Sequence, residues 1–71
     1  MDRASIESEI IRSVGYDINT RLMEVELNSG NIFQYKDVPD LVYQGLLYSP
    51  TKDSYYQTMF EDGTYHRTSI R

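Results

Sequence analysis

His66 is the sole imidazole of this chain, standing near the C-terminus between Tyr65 and Arg67, and there is no cysteine to join it. Nucleophilic catalysis needs a nucleophile and a base within hydrogen-bond reach, and a structural zinc site needs four ligands, so one such histidine supports neither. Glu24 and Glu26 have the residue types of a general acid and base. Alternation along a strand, however, puts both on one solvent-facing side. Glycine-rich phosphate loops, metal-ligand spacings and triad orderings do not occur. What remains is a non-enzymatic binding protein without a cofactor or metal.

Aromatic residues are the groups best suited to that work. The chain carries seven tyrosines and two phenylalanines without tryptophan, and each phenol offers an apolar face with a polar tip. Phe33 and Tyr35 alternate on one side of a strand, the spacing of a stacking platform for a flat ligand, where each stacked base is worth about 1–3 kcal/mol. Arg12 and Lys36 on strands, and Arg67 in the tail, are the cations available to neutralise a phosphate. Neighbours on a helix lie about 100° apart, so one of Tyr55 and Tyr56 faces the core and the other, with Tyr16 and Tyr65, is free to line a pocket or a subunit interface. The candidate ligand-binding set is Arg12, Tyr16, Phe33, Tyr35, Lys36, Tyr55, Tyr56 and Arg67. The competing placement, with Phe33 and Tyr35 packed beneath a helix against Val42 and Leu46, stays open.

The elements that must position these groups follow from apolar periodicity. Met1 to Glu7 is polar and expected to fray. Ser8 to Tyr16 reads as a first strand, with Ile10, Arg12, Val14 and Tyr16 alternating against Ile11, Ser13 and Gly15, and Asp17 to Thr20 supplies a turn. Arg21 to Leu27 puts Met23, Val25 and Leu27 on a core face and Leu22, Glu24 and Glu26 toward solvent. The segment from Asn28 to Asn31 is a hairpin turn, and Ile32 to Lys36 returns as a third strand. Pro39 suits the first turn of a helix, with Asp37 and Asp40 near its positive end. Gly45 marks close packing or a marginal helix, and Ser49-Pro50 ends it. A second helix, capped by Asp53 or Ser54, carries the pairs Tyr55/Met59 and Tyr56/Phe60 and closes at Asp62-Gly63. The expected fold is α+β, a single domain over 1–71 with an antiparallel three-stranded meander followed by two short helices. Thr64 to Arg71 is either a short edge strand or a tail, frayed over 67–71.

Charge and size narrow the partners. Net charge is −4, which opposes nonspecific attraction to phosphate backbones and anionic lipids, so RNA is disfavoured and no membrane contact is expected. No apolar run approaches the roughly 20 residues of a membrane span. A soluble, cytoplasmic protein is expected. Chains below roughly 70–80 residues often add a disulfide, a metal or a subunit interface to one small core. Without the first two, a homo-oligomer is expected.

Four segments together resemble the KTSC domain, a small module found at the end of some bacterial lysyl-tRNA synthetases and free-standing in bacteria and phages. They are Val14-Gly15-Tyr16-Asp17, the alternating stretch from Met23 to Gly30, the spaced aromatic pair of Phe33-Gln34-Tyr35, and Asp37-Val38-Pro39 followed by Val42-Tyr43. The second half departs from the family pattern: Asp53 stands where glycine is usual, Gln57 where asparagine is, and Phe60-Glu61 where an isoleucine-arginine pair is. The resemblance implies RNA binding, which the lost arginine and the acidic balance weaken. The expected ligand is nucleotide-like, a small nucleotide signal sequestered by a phage protein or a short single strand. The alternative is an acidic module that meets a basic protein partner through Glu24, Glu26, Asp37, Asp40, Glu61 and Asp62.

Overall fold

Alternating apolar residues on adjacent strands meet side by side: Val14 stands opposite Val25 and Val25 opposite Phe33, while Tyr16 stands opposite Met23 and Met23 opposite Tyr35. Residues in register point to the same face of a sheet, so these two rows make one continuous apolar surface. In the computed structural model, which describes residues 3–71, the strands are β1 Ala4–Ser5, β2 Ile11–Asp17, β3 Leu22–Leu27, β4 Ile32–Tyr35 and β5 Arg67–Ser69. They form a five-stranded antiparallel sheet in the order β1-β2-β3-β4-β5. Helices α1 Asp40–Tyr48 and α2 Lys52–Phe60 lie between β4 and β5 in the chain. Leu46 of α1 and Tyr56 and Phe60 of α2 join the same buried cluster as Val14, Met23, Val25 and Tyr35, which puts both helices on one face of the sheet.

The three-stranded expectation is therefore corrected to five. Ala4 and Ser5, expected to fray, pair with Val14 and Ser13, although both are exposed. Two exposed residues carry no apolar period, so nothing in their own sequence marks them as a strand. For Met1 and Asp2 the fraying expectation lies outside the described residues. At the other end, Arg67–Ser69 pairs with β4, and the backbone of Ile70 and Arg71 continues the bonding to Ile32. The first strand also starts later than its alternation implies. The register slips between Ile11 and Ser13, so Arg12 is an extra, exposed residue and Ile11 joins Val14 in the core. Such a bulge inverts the face on which later residues fall.

Asp37-Val38-Pro39 turns the chain from sheet to helix. Asp37 takes a positive φ of 57°, as does Arg21 at 56°, and the Arg21 carbonyl accepts the Val38 amide at 3.0 Å. The Tyr16 hydroxyl donates to the Val38 carbonyl at 2.5 Å, and its ring stacks on Tyr43 at 4.8 Å. Val38 is fully buried, and Pro39 serves as the residue before α1 and not as its first turn. α2 likewise starts earlier than expected, at Lys52 with Thr51 before it, so neither Asp53 nor Ser54 is its cap. Gly45 is where the helices touch: a Cβ built there would clash with the Tyr55 hydroxyl, which donates to the Val42 carbonyl at 2.9 Å.

Gly45→Ala should therefore destabilise the fold by about 1–3 kcal/mol through overpacking. Urea unfolding measures it, and the loss should shrink when Tyr55→Phe removes the clashing oxygen. Tyr35 and Tyr56, both fully buried, share a 2.6 Å hydroxyl bond. Tyr35→Phe alone should cost about 1–3 kcal/mol by stranding the Tyr56 hydroxyl, whereas the double phenylalanine variant should cost less than the sum of the two single changes.

Candidate functional site

The core and its margin take up most of the rings expected to grip a ligand. Tyr35 and Tyr56 have no exposed surface, and burial first, then the hydrogen bond shared with Tyr35, pushes the Tyr56 phenol far above its ordinary value. Both are corrected from ligand-binding to core residues. Tyr55 points at α1 and not outward, spending its hydroxyl on Val42. Tyr16 is half-buried as the staple of the Val38 corner, and Tyr65 packs against Phe60 at 5.2 Å between centroids. Tyr16, Tyr55 and Tyr65 therefore do not converge on a pocket. Of the seven tyrosines, Tyr48 is the exposed one, at 81%.

Phe33 stays half-buried on the helix-bearing face of β4, one strand from the sheet edge. Arg67 stands opposite Tyr35 in β5, on that same face, and its guanidinium carbon lies 4.2 Å from the centre of the Phe33 ring. A guanidinium held over a ring face is a cation–π contact worth about 0.5–1 kcal/mol at an exposed site, and its outer side still presents a flat cation. Phe33 and Arg67 are the two members of the expected set that the fold brings together. Lys36 follows Tyr35, so by alternation it turns to the opposite face from Arg67. Arg12 is remote, in the β2 bulge.

Among the described residues the ion pairs are Arg3 with Glu24 at 3.0 Å and with Glu26 at 3.9 Å, and Arg71 with Glu26 at 3.7 Å. Arg12, Arg21, Lys36, Lys52 and Arg67 thus have no carboxylate partner there. The pairs also correct the acidic-surface expectation. Glu24 and Glu26 sit on the helix-free face, but their side chains are only 16% and 17% exposed. Glu24 accepts from Gln34 at 2.9 Å and Glu26 from Ser13 at 3.0 Å. Asp37, Glu61 and Asp62 remain as exposed acids.

A cleft of about 380 Å³ lies elsewhere, between Glu7, Ser8 and Glu9 on one side and Pro50, Lys52 and Asp53 on the other, and no tyrosine or arginine lines it. Its floor is an anchor that sequence reading missed. The Asp53 carboxylate accepts from the Ser8 hydroxyl and from the backbone amides of Glu9 and Ile10, both at 3.1 Å. The Ser8 oxygen in turn accepts the amides of Ile10 at 3.1 Å and Ile11 at 2.8 Å. The hydrogen bond from Ser8, above all, holds the Asp53 carboxyl below its ordinary range, with the two amides adding to it against the opposing effect of burial. No group of three or more histidine, aspartate or glutamate side chains is placed to hold a metal ion among the described residues, and no helix there is long and apolar enough to cross a membrane.

Both helices on one face of an antiparallel sheet, with the opposite face carrying ion pairs, define a two-layer α+β domain. Residues 7–65 match the KTSC domain, and the chain belongs to that family. An uncharacterized protein of Stutzerimonas stutzeri (strain A1501) is 34% identical over 65 residues, 92% of each chain. The crystal structure of a KTSC domain protein from Yersinia pestis is similar with a TM-score of 0.93 and 24% identity, covering 99% of this chain and 97% of that one, a likeness of fold.

Asp53, where the family pattern usually has glycine, ties the segment before β2 to the start of α2. Since hydrogen bonding depresses its native pKa, the anchor's contribution is complete above the unfolded carboxylate value, about 4, and is lost as pH falls through the lower native value. Asp53→Ala should lower the protection of the Glu9 and Ile10 amides, relative to their intrinsic exchange rates, at neutral pH, and acidification should lower the same two protection factors in the unmodified protein while leaving those of the variant unchanged.

Proposed function

We propose that this chain is a non-enzymatic binding module for a small anionic, nucleotide-like ligand, held on the β4–β5 pair by Arg67 and Phe33. One observation carries it: the guanidinium carbon of the exposed Arg67 lies 4.2 Å from the centre of the Phe33 ring, with no carboxylate partner among the described residues. Such a group offers a stacking face to a base and donors to a phosphate at once. The ligand is either a small nucleotide signal that the protein sequesters or a short single strand. Self-association and a cytoplasmic setting belong to the same proposal. A second reading, a basic protein partner, is supported by Leu41 and Tyr48, which are 79% and 81% exposed. They lie seven positions apart along one stripe of α1, near the acids Asp37 and Asp40, and helical residues at that spacing share a face.

The test is equilibrium binding of fluorescent adenine and guanine nucleotides, and of a short RNA, to the unmodified protein, Arg67→Ala and Phe33→Leu. Each variant should bind about tenfold more weakly, within the range for losing one stacked contact, while staying folded with an unfolding temperature lowered by only a few degrees. Equal affinity in folded variants, or no binding by the unmodified protein, would reject the site.

A further inference from the structure

We propose that β5 is an acceptor edge for an extended acidic segment of another protein, which adds to the sheet as a sixth strand. The proposal goes beyond nucleotide binding, because it rests on the backbone of β5 and not on the Phe33 stack. In the β4–β5 ladder the Lys36 amide donates to the His66 carbonyl at 3.1 Å, and the Ile70 amide donates to the Ile32 carbonyl at 2.8 Å. His66, Thr68 and Ile70 therefore turn their backbone groups inward. The amides and carbonyls of Arg67 and Ser69 turn outward, since successive residues of a strand direct these groups to opposite sides. All three residues of β5 are exposed, and β5 is the last strand of the sheet. No proline interrupts it. Four strong backbone hydrogen-bonding groups are thus presented in strand geometry, the arrangement that an added strand requires.

Charge selects the occupant. From His66 to Arg71 the chain carries two arginines and a histidine without an acid, although the whole chain is net −4; Arg71 is paired with Glu26, which leaves Arg67 as the arginine that selects. A second copy of β5 is a poor occupant in the two antiparallel registers centred on Arg67 or on Thr68. With Arg67 opposite Arg67, like charges face each other directly. With Arg67 opposite Ser69, the two Arg67 side chains become diagonal neighbours within reach of long side chains. Carboxylates at alternate positions of an incoming strand instead meet Arg67. The opposite edge does not compete equally. β1 has two residues, and the neighbouring Arg3 is already held by Glu24 and Glu26.

The experiment adds a short peptide of alternating glutamate and valine to the full chain and follows residue-resolved amide exchange. Exchange at Arg67 and Ser69 should slow by about tenfold on saturation. Thr68, already bonded inward, should change little. The same peptide N-methylated at alternate amides, and a lysine–valine peptide, should not bind. Ser69→Pro removes an outward amide that the ladder with β4 does not use, so this variant should stay folded and lose the peptide. Arg67→Glu should transfer preference to the lysine peptide. Unchanged exchange at Arg67 and Ser69, or equal binding of the N-methylated peptide, would overturn the proposal. Nucleotide affinity measured on Ser69→Pro separates the two sites, because that variant keeps both Arg67 and Phe33.

Discussion

A hydrogen bond between two buried phenols, Tyr35 on β4 and Tyr56 on α2, is the contact around which the two layers are assembled. Each hydroxyl is the other's partner, so neither can be buried alone without stranding a polar group at a cost of about 1–3 kcal/mol. Phe60 packs on both rings, 5.0 Å from Tyr35 and 5.7 Å from Tyr56 between centroids, and carries the cluster outward to Tyr65. Tyr35 and Tyr56 themselves meet edge to face, and aromatic pairs in edge-to-face and stacked arrangements add about 0.5–1.5 kcal/mol each beyond area burial. The bond fixes how far along the sheet α2 can sit. Gly45 then fixes how closely α1 approaches α2, because the Tyr55 ring occupies the space a side chain would need.

That use of tyrosine limits which side chains the proposed binding function has at its disposal. A small domain has few positions deep enough to hide a leucine or phenylalanine completely, and rings with one polar end suit the positions left over. Tyr16, Tyr43, Tyr55 and Tyr65 fill the margin of the core, and the hydroxyls of Tyr16 and Tyr55 bond backbone carbonyls there. Rings committed in this way are not free to clasp a ligand. The groups left for recognition are at the rim: Arg67 over Phe33, the outward backbone of β5, and the Leu41–Tyr48 stripe of α1.

Much of the fold was legible because its central strands alternate strictly. Met23, Val25 and Leu27 against Glu24 and Glu26 define a face, and Phe33 and Tyr35 take the same face one strand further on. Both helices follow from i, i+4 apolar pairs, and the close packing expected at Gly45 has a partner in Tyr55. The edge strands were less legible, since Ala4–Ser5 and Arg67–Ser69 are exposed and polar and form through pairing with strands already in place. Arg12 hid the true start of β2, because a bulge is one residue too many and alternation cannot register it. Among site residues, the pairing of Phe33 with Arg67 joins positions far apart in sequence, and no local pattern announces it. Spacing equally does not distinguish a tyrosine that stacks on a ligand from one that bonds a buried neighbour; only the position of Tyr56 relative to Tyr35 separates the two.

The distribution of cations argues for a small or short ligand over a long polyanion. Arg3 and Arg71 are drawn onto the helix-free face by Glu24 and Glu26, which neutralises that face and removes two of the seven basic side chains from recognition. The rest are dispersed, with Arg12 at the β2 bulge, Lys36 and Arg67 on opposite faces of the β4–β5 pair, and the Lys52 ammonium donating to the Ser49 carbonyl at 2.8 Å. A protein that tracks a nucleic-acid strand needs a continuous positive groove long enough for about 4–16 nucleotides, and among the described residues the cations are dispersed and not aligned in one. A single guanidinium backed by a ring requires only one phosphate, or one carboxylate, to satisfy it. The proposed nucleotide-like anion and the proposed acidic strand share that chemistry, and both proposals rest on the β4–β5 pair.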